Sequence, residues 1–136
     1  MSEKTQKVAI VTPEQVVYGE EARFVQARGT EGELGILPMH TPLITSLAPG
    51  LLRIQKEGKW TTFVVAGGFM EVRDNRVVVL ANAAERPEEI DVERAKRAKE
   101  RAEKRLAAKD PEIDVVRAKV ALQRAMVRID AAGLKH

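Results

Sequence analysis

Short apolar runs separated by turn residues recur through the first 85 residues of the chain. They return about every 8–12 residues, which is typical of an all-β sandwich or barrel. Glu57-Gly58 and Asp74-Asn75 lie between runs where two-residue hairpin turns are expected, and Asp and Asn tolerate positive φ. The pattern predicts an antiparallel β-sandwich, with strands at 8–13, 22–28, 50–55, 60–66, 68–73 and 76–81.

The hydrophobic period becomes helical beyond the strands. Small apolar residues follow one another at steps of three and four, which marks one face of a helix. These residues are Val92, Ala95, Ala98, Ala102 and Leu106. Asp91 can cap the start of this helix. Asp110 and Pro111 can end it and begin a second helix, which runs to about Ala131 or Ala132 and stops at Gly133.

The fold class predicted is therefore α+β, with an antiparallel β-sandwich at 1–86 followed by a two-helix antiparallel hairpin at 87–136. Alanine dominates the face that joins the helices, and each buried alanine removes little apolar area from water. The hairpin is accordingly expected to be weakly held and able to leave its docking surface.

Charge divides the chain at the same place. The net charge is +3 overall, with −1 on residues 1–85 and +4 on residues 86–136, and the second part has no aromatic residue. Binding of single-stranded nucleic acid needs a basic face with stacking aromatics, so that class of function is disfavoured.

Composition also limits the chemistry. With no cysteine, the chain has no disulfide, thiolate metal site or cysteine nucleophile. The histidines are His40 and His136, no GxxxxGK[ST] loop is present, and no metal-ligand spacing occurs, so we expect neither an enzyme nor a metal site. The apolar stretch 8–11 is too short for a secretory signal, and no apolar run is long enough to span a membrane.

The segment GELGILPMHTPLIT (32–45) is unusually apolar for a loop. Two glycines and two prolines stand among six large apolar residues. One interpretation is a connection that crosses the core with its apolar residues buried. The other is a stiff, partly exposed docking patch, which would lose little entropy on binding.

This segment, with VAGGFMEV (65–72) and IDVERA (90–95), resembles the ε subunit of the bacterial F-type ATP synthase. The resemblance covers essentially the whole chain in the same order, and the family's sandwich and hairpin agree with the two periodicities. It implies a non-catalytic central-stalk rotor subunit, peripheral on the cytoplasmic face of the plasma membrane. Such a subunit couples proton flow to ATP synthesis and inhibits ATP hydrolysis through its hairpin.

The resemblance also implies partners. These are the γ subunit of the stalk, the membrane ring of c subunits, and the catalytic α and β subunits when the hairpin extends; no nucleic acid is implied. The positions that match the family's contact with the ring and stalk are Glu31, Glu33, Met39 and His40.

In some bacterial members the hairpin binds ATP as a regulatory ligand, without a requirement for Mg²⁺. The matching positions here are Glu85, Ile90, Asp91, Arg94, Ala95, Arg101, Arg124 and Arg128. A similar word, IDVVRAK at 113–119, lacks the preceding glutamate, and we interpret it as the chemistry of a second helix start. Two alternatives stay open: ion pairs within the helices, and a purely structural rotor subunit without nucleotide gating.

Overall fold

The computed structural model describes residues 4–133 and divides into two compact units between Glu85 and Arg86. His136 lies outside the described residues. The first unit contains the strands β1 (Gln6–Val11), β2 (Val16–Ala22), β3 (Phe24–Gly29), β4 (Gly32–Ile36), β5 (Leu43–Leu47), β6 (Gly50–Lys56), β7 (Lys59–Val65), β8 (Gly68–Arg73), β9 (Arg76–Ala81) and β10 (Ala84–Glu85). The second contains a 3₁₀ turn (Pro87–Glu89) and the helices α1 (Val92–Ala107) and α2 (Val115–Ala132).

One hydrogen-bonded sheet forms the first unit and folds into two layers. Its strand order is β10-β7-β6-β3-β5-β8-β9-β1-β2, with β4 paired to β3. Only the pair Gly29↔Leu47 joins β3 to β5, so the sheet turns there and its halves face each other. Every pairing is antiparallel except that of β1 with β9. This arrangement confirms the predicted β-sandwich.

The core lies between the two layers. Alternate residues of each strand point inward, and the largest fully buried side chains include Phe63, Leu52, Ile54, Met70 and Ile10. The rings of Phe63 and Tyr18 pack in a T-shaped arrangement at a centroid distance of 5.8 Å. At the rim, Lys56 of β6 donates to Glu20 of β2 (Nζ–Oε1 2.7 Å), which raises the pKa of Lys56 above its ordinary 10.5.

All six predicted strands form, but the prediction missed β2, β4, β5 and β10. Treating 32–45 as one loop was wrong, because β4 and β5 flank a connection of only six residues (37–42). The two glycines of β4 hid the strand from the sequence pattern, because glycine has a low strand propensity. In the structure the ring of Phe24 covers the backbone at Gly35, where an added Cβ would lie 2.9 Å from the ring. Cross-strand packing by an aromatic ring thus compensates for low local propensity.

Both predicted two-residue turns are present. Glu57 and Gly58 have φ of 51° and 78°, and Asp74 and Asn75 have φ of 49° and 57°. Each turn closes directly on its flanking register pair. Positive φ at both central residues gives the twist that a tight hairpin needs.

The helix starts are partly as predicted. Asp91 caps α1, its Oδ1 accepting from the N–H of Arg94 at 3.0 Å. Asp110 and Pro111 do not start α2; Asp110 Oδ1 instead accepts from Glu112 N–H at 2.9 Å in the connecting turn. Helix α2 begins one turn later with Asp114 as its cap, and Gly133 follows its last residue. The carboxylate of Asp110 is engaged in a local Asx turn, and such turns compete with helix caps for the same side chain.

The buried residues of the two helices are all alanines: Ala95 and Ala102 on α1, and Ala118, Ala125 and Ala131 on α2. Ala95 and Ala102 on α1 are seven residues apart, and so are Ala118 and Ala125 on α2. Their methyl groups therefore recur every two turns, as in a close-packed helical seam. Each contributes only about 0.8 kcal/mol of apolar burial.

Gly68→Ala is predicted to destabilise the sandwich by about 3 kcal/mol or more. Gly68 has φ of 143°, and an added Cβ would lie 2.1 Å from the carbonyl oxygen of Leu80. Gly58→Ala is the matched control, since Gly58 also has positive φ but faces open space; it should cost about 1 kcal/mol. Urea unfolding followed by the fluorescence of Trp60, the single tryptophan, measures both. Equal losses would contradict the steric account.

Asp91→Ala and Asp114→Ala are each predicted to lower hairpin stability by about 1 kcal/mol, because each removes a cap hydrogen bond. Asp110→Ala should cost less, since its carboxylate serves a turn and no helix end. Helical circular dichroism during thermal unfolding compares the three variants. A larger loss for Asp110→Ala than for Asp114→Ala would place the start of α2 at Pro111 after all.

Candidate functional site

The repeated word, 90–96 and 113–119, is a pair of equivalent helix starts. Arg117 N–H donates to Asp114 Oδ1 at 3.0 Å, as Arg94 N–H does to Asp91. In both words the Ile precedes the cap, the Asp is the cap, and an Arg-Ala pair follows in the first turn. The structure therefore confirms that the two words are alike because two helices begin there.

The Arg-Ala pair continues along each helix at seven-residue spacing, and the alanine is buried every time. The pairs are Arg94-Ala95 and Arg101-Ala102 on α1, and Arg117-Ala118 and Arg124-Ala125 on α2. Seven residues are two turns of helix, so the arginines of each helix form a row beside the seam. The seam thus fixes where the positive charge lies.

Both rows fall on the same side of the hairpin. One residue corresponds to about 100° of rotation, so each arginine lies about 100° from the alanine that follows it. The direction of α2 is reversed relative to α1, and its core face points the opposite way. These two reversals cancel, so the arginines of α1 and α2 share one exposed flank.

The position of a residue along the hairpin can be counted in residues from the connection between α1 and α2. Arg94 lies thirteen residues before Ala107, the end of α1, and Arg128 lies thirteen residues after Val115, the start of α2. The two arginines are therefore the same number of residues from the connection. Arg128 is half-buried and Arg94 is exposed, which is consistent with a position of Arg128 closer to the seam.

Each of the other two predicted arginines has an alanine of the opposite helix at the same residue count from the connection. Arg101 and Ala121 each lie six residues from the helix end at the connection, and Arg124 and Ala98 each lie nine residues from it. Both alanines are half-buried, and both arginines are exposed. Small residues take up little room beside long cations, and guanidinium groups bind phosphate oxygens in a bidentate manner. The flank is chemically suited to a polyanion.

The remaining predicted residues of this set have different roles in the fold. Glu85 is half-buried at the end of β10, in the first unit. Ile90 is 6% exposed, and its N–H donates to the carbonyl of Pro87 at 3.2 Å. Ala95 is buried in the seam, and the carboxylate of Asp91 already accepts the cap hydrogen bond. The side chains of Ile90 and Ala95 therefore shape this region and do not reach into solvent.

The residues expected at the ring lie in the β3–β4 hairpin and in the β4–β5 connection. Glu31 is exposed between β3 and β4, and Glu33 is exposed on β4. In the β4–β5 connection Met39 is 72% exposed, while His40 is half-buried with Nδ1 2.6 Å from the carbonyl oxygen of Thr41. A carbonyl only accepts, so Nδ1 carries the proton of this hydrogen bond.

The segment 32–45 combines both interpretations. Ile36 is fully buried, whereas Leu37 and Ile44 are 49% and 72% exposed. One part of it therefore belongs to the core and another part is exposed at the surface.

Sequence reasoning missed an apolar row on the outer face of the sandwich. Phe69, Leu80 and Val16 are 59%, 55% and 66% exposed. They lie on one line across the sheet, since Phe69 pairs with Leu80, Leu80 with Val11, and Val11 with Val16. The signal was available: GFMEVR and RVVVLA have apolar residues at inward and outward positions alike.

Beside this row the outer face is grooved. Ala9 and Gly19 are register partners, and their small size leaves an open groove of about 420 Å³. Its border carries charge from Lys7, Glu21 and Arg76. An apolar row with a polar border is typical of a protein-binding surface.

Within residues 4–133 no helix is long and apolar enough to cross a membrane. In the same range no group of three or more His, Asp or Glu residues could hold a metal ion.

Comparison with known proteins agrees with this architecture. Residues 5–87 match the family description "ATP synthase, Delta/Epsilon chain, beta-sandwich domain", and residues 88–133 match "ATP synthase, Delta/Epsilon chain, long alpha-helix domain". The ATP synthase epsilon chain of Desulforudis audaxviator is 82% identical over 98% of this chain and 97% of that protein. That of Pelotomaculum thermopropionicum is 67% identical over 98% of this chain and 99% of that protein.

Solved structures show the same likeness. A chain of the Euglena gracilis mitochondrial ATP synthase, in an OSCP/F1/c-ring structure, superimposes with a TM-score of 0.80 at 27% identity, over 93% of this chain and 81% of that one. A chain of the Tetrahymena thermophila central stalk/c-ring structure shares the fold, with a TM-score of 0.60 at 18% identity over 98% of this chain and 97% of that one. The chain therefore belongs to the ATP synthase Delta/Epsilon chain family and, within it, to the ε subunits of the F-type enzyme.

Proposed function

We propose that this chain is a regulatory, non-catalytic rotor subunit whose hairpin binds ATP on its arginine flank and inhibits ATP hydrolysis when ATP leaves. The observation that carries the proposal is the alignment of Arg94, Arg101, Arg124 and Arg128 along one side of an alanine seam. A triphosphate is the ligand class that matches this charge and spacing.

We call the hairpin closed by bound ATP the latch. It can open because the contact between α1 and α2 is weak. The compact hairpin gathers four guanidinium groups of like charge on one flank, and the fully buried residues of α1 and α2 are alanines, which contribute little apolar area. Bound ATP would offset this gathered charge with charge-assisted hydrogen bonds. A ligand shifts such an equilibrium only by its differential affinity for the two states, and here the compact hairpin is the state that gathers the arginines.

Release of the latch makes the hairpin an inhibitor. Residues 86–136 have a net charge of +4 and many exposed Lys and Arg side chains, so acidic surfaces on the catalytic α and β subunits would attract the opened helices. In this proposal ATP scarcity is thus converted into a block of ATP hydrolysis.

The sandwich supplies the docking surfaces of the rotor. The apolar row of Phe69, Leu80 and Val16 suits the γ subunit, because a stable stalk contact needs apolar burial. Glu31, Glu33, Met39 and His40 suit the polar loops of the c ring, where charges set register and partner choice more than affinity. With these contacts the subunit would turn with the ring, coupling proton flow to ATP synthesis at the cytoplasmic face of the membrane.

A passive rotor subunit is the second candidate, and one observation favours it. Arg117 belongs to the same Arg-Ala series without matching any ATP-binding position, so the arginine rows also follow from helix construction alone. Lys96 likewise pairs with Glu93 at 3.8 Å as an ordinary i, i+3 ion pair. Direct binding measurements separate the candidates.

Arg124→Ala is predicted to weaken ATP binding by about tenfold or more, because it removes a charge-assisted contact to phosphate. Isothermal titration calorimetry of the purified chain with ATP measures the change. Arg97→Ala is the matched control: it removes the same charge from the far side of α1 and should change the affinity by less than about twofold. If the unmodified chain releases no heat of binding at millimolar ATP, the passive rotor subunit is the correct description.

In the assembled ATP synthase, the Arg124→Ala chain is predicted to lower the rate of ATP hydrolysis at millimolar ATP. A weaker latch leaves more hairpins extended, and the population can shift by up to about tenfold, the affinity that was lost. The measurement is the ATPase rate of the reconstituted enzyme with each chain, and the Arg97→Ala chain again serves as control. A rate equal to or above that of the unmodified enzyme would contradict the gate.

A further inference from the structure

Met39 has an uncommon backbone conformation for its residue type. Its φ is 65°, in the left-handed region that glycine and asparagine favour, and its side chain is 72% exposed. An exposed methionine gains nothing from this conformation by packing into the core. Another group must therefore hold the β4–β5 connection in place.

That group is the side chain of Asn75. Its Oδ1 accepts a hydrogen bond from the N–H of Met39 at 2.9 Å, across 36 positions of sequence. Its Nδ2 donates to the carbonyl of Thr5 at 2.9 Å, across 70 positions. The backbone carbonyl of Asn75 also accepts from Lys7 N–H at 3.2 Å. One residue thus ties the β8–β9 turn to the start of β1 and to the connection that carries Met39 and His40. We call the two side-chain hydrogen bonds of Asn75 the bracket.

Asparagine is suited to this position for two reasons. The turn requires positive φ, which Asn adopts more readily than most residues, and the φ of Asn75 is 57°. The bracket also requires one acceptor and one donor on a short side chain, and a primary amide has both. Aspartate lacks the donor, and glycine satisfies the turn but offers neither group.

We propose that Asn75 is a positioning residue, which fixes the Met39–His40 segment in the conformation that docks on the membrane ring. This inference rests on the proposed contact of Met39 and His40 with that ring. A segment held before binding loses less conformational freedom when it binds, so the bracket strengthens docking without touching the partner.

Two measurements on the full-length chain test this role. The first is hydrogen exchange of the Met39 amide by NMR, which reports the hydrogen bond to Asn75 and needs no partner. The second is binding of the chain, in complex with γ, to detergent-solubilised rings of c subunits. In Asn75→Gly, which keeps the turn, the Met39 amide should exchange about tenfold faster or more. Ring binding should weaken by about tenfold.

Asp74→Gly is the matched control, because Asp74 lies in the same turn with φ of 49° and is exposed. It should leave both readouts within about twofold of the unmodified chain, since it removes no hydrogen bond to Met39. Met39→Ala tests the ring contact itself, because it keeps the backbone N–H and removes the exposed side chain.

Faster exchange together with weaker binding in Asn75→Gly, and neither in Asp74→Gly, supports the role. An unchanged Met39 amide overturns it, and so does faster exchange with normal ring binding while Met39→Ala binds weakly. If Met39→Ala also binds the ring normally, the proposed ring contact itself has failed, and the exchange data still show whether the bracket exists.

Discussion

The alanine seam between α1 and α2 is the constraint on which the behaviour of the hairpin depends. Alanine lets two helices approach closely, but each buried methyl group contributes little apolar area. Four of the five buried alanines directly follow an arginine: Ala95, Ala102, Ala118 and Ala125. Close approach of the helices therefore also gathers positive charge on one flank. The same residues that join the helices therefore limit how firmly they are joined.

The sandwich is built on the opposite principle. Its core contains large side chains from both layers, including Phe63, Leu52 and Met70, and their burial resists local opening. Its tight turns use positive φ, and Gly68 allows β8 to pass within van der Waals contact of the Leu80 carbonyl. A rigid base and a weakly joined hairpin in one chain are the combination on which the proposed function depends.

The sequence pattern predicted those parts of the fold that depend on residues close together in the chain. Alternation identified six strands, and Asp91 marked a helix start correctly, because a cap and a strand face are decided by neighbouring residues. The prediction failed at β4, where Gly35 acquires its partner only when Phe24 folds over it from β3. It also failed at Asp110, where two short-range uses of one carboxylate competed and the turn prevailed.

By itself the sequence determined six of the ten strands, the two helices and the cap at Asp91, since periodicity and capping are written along the chain. The residues of the candidate ATP site came from the family resemblance. Only the tertiary structure decided that the segment 32–45 divides between core and surface, and that the outer face presents Phe69, Leu80 and Val16 in one row. Only it showed that Asn75 holds Met39. The physical reason is that these features depend on register and hydrogen bonds between positions far apart in sequence, and no local pattern records such pairings.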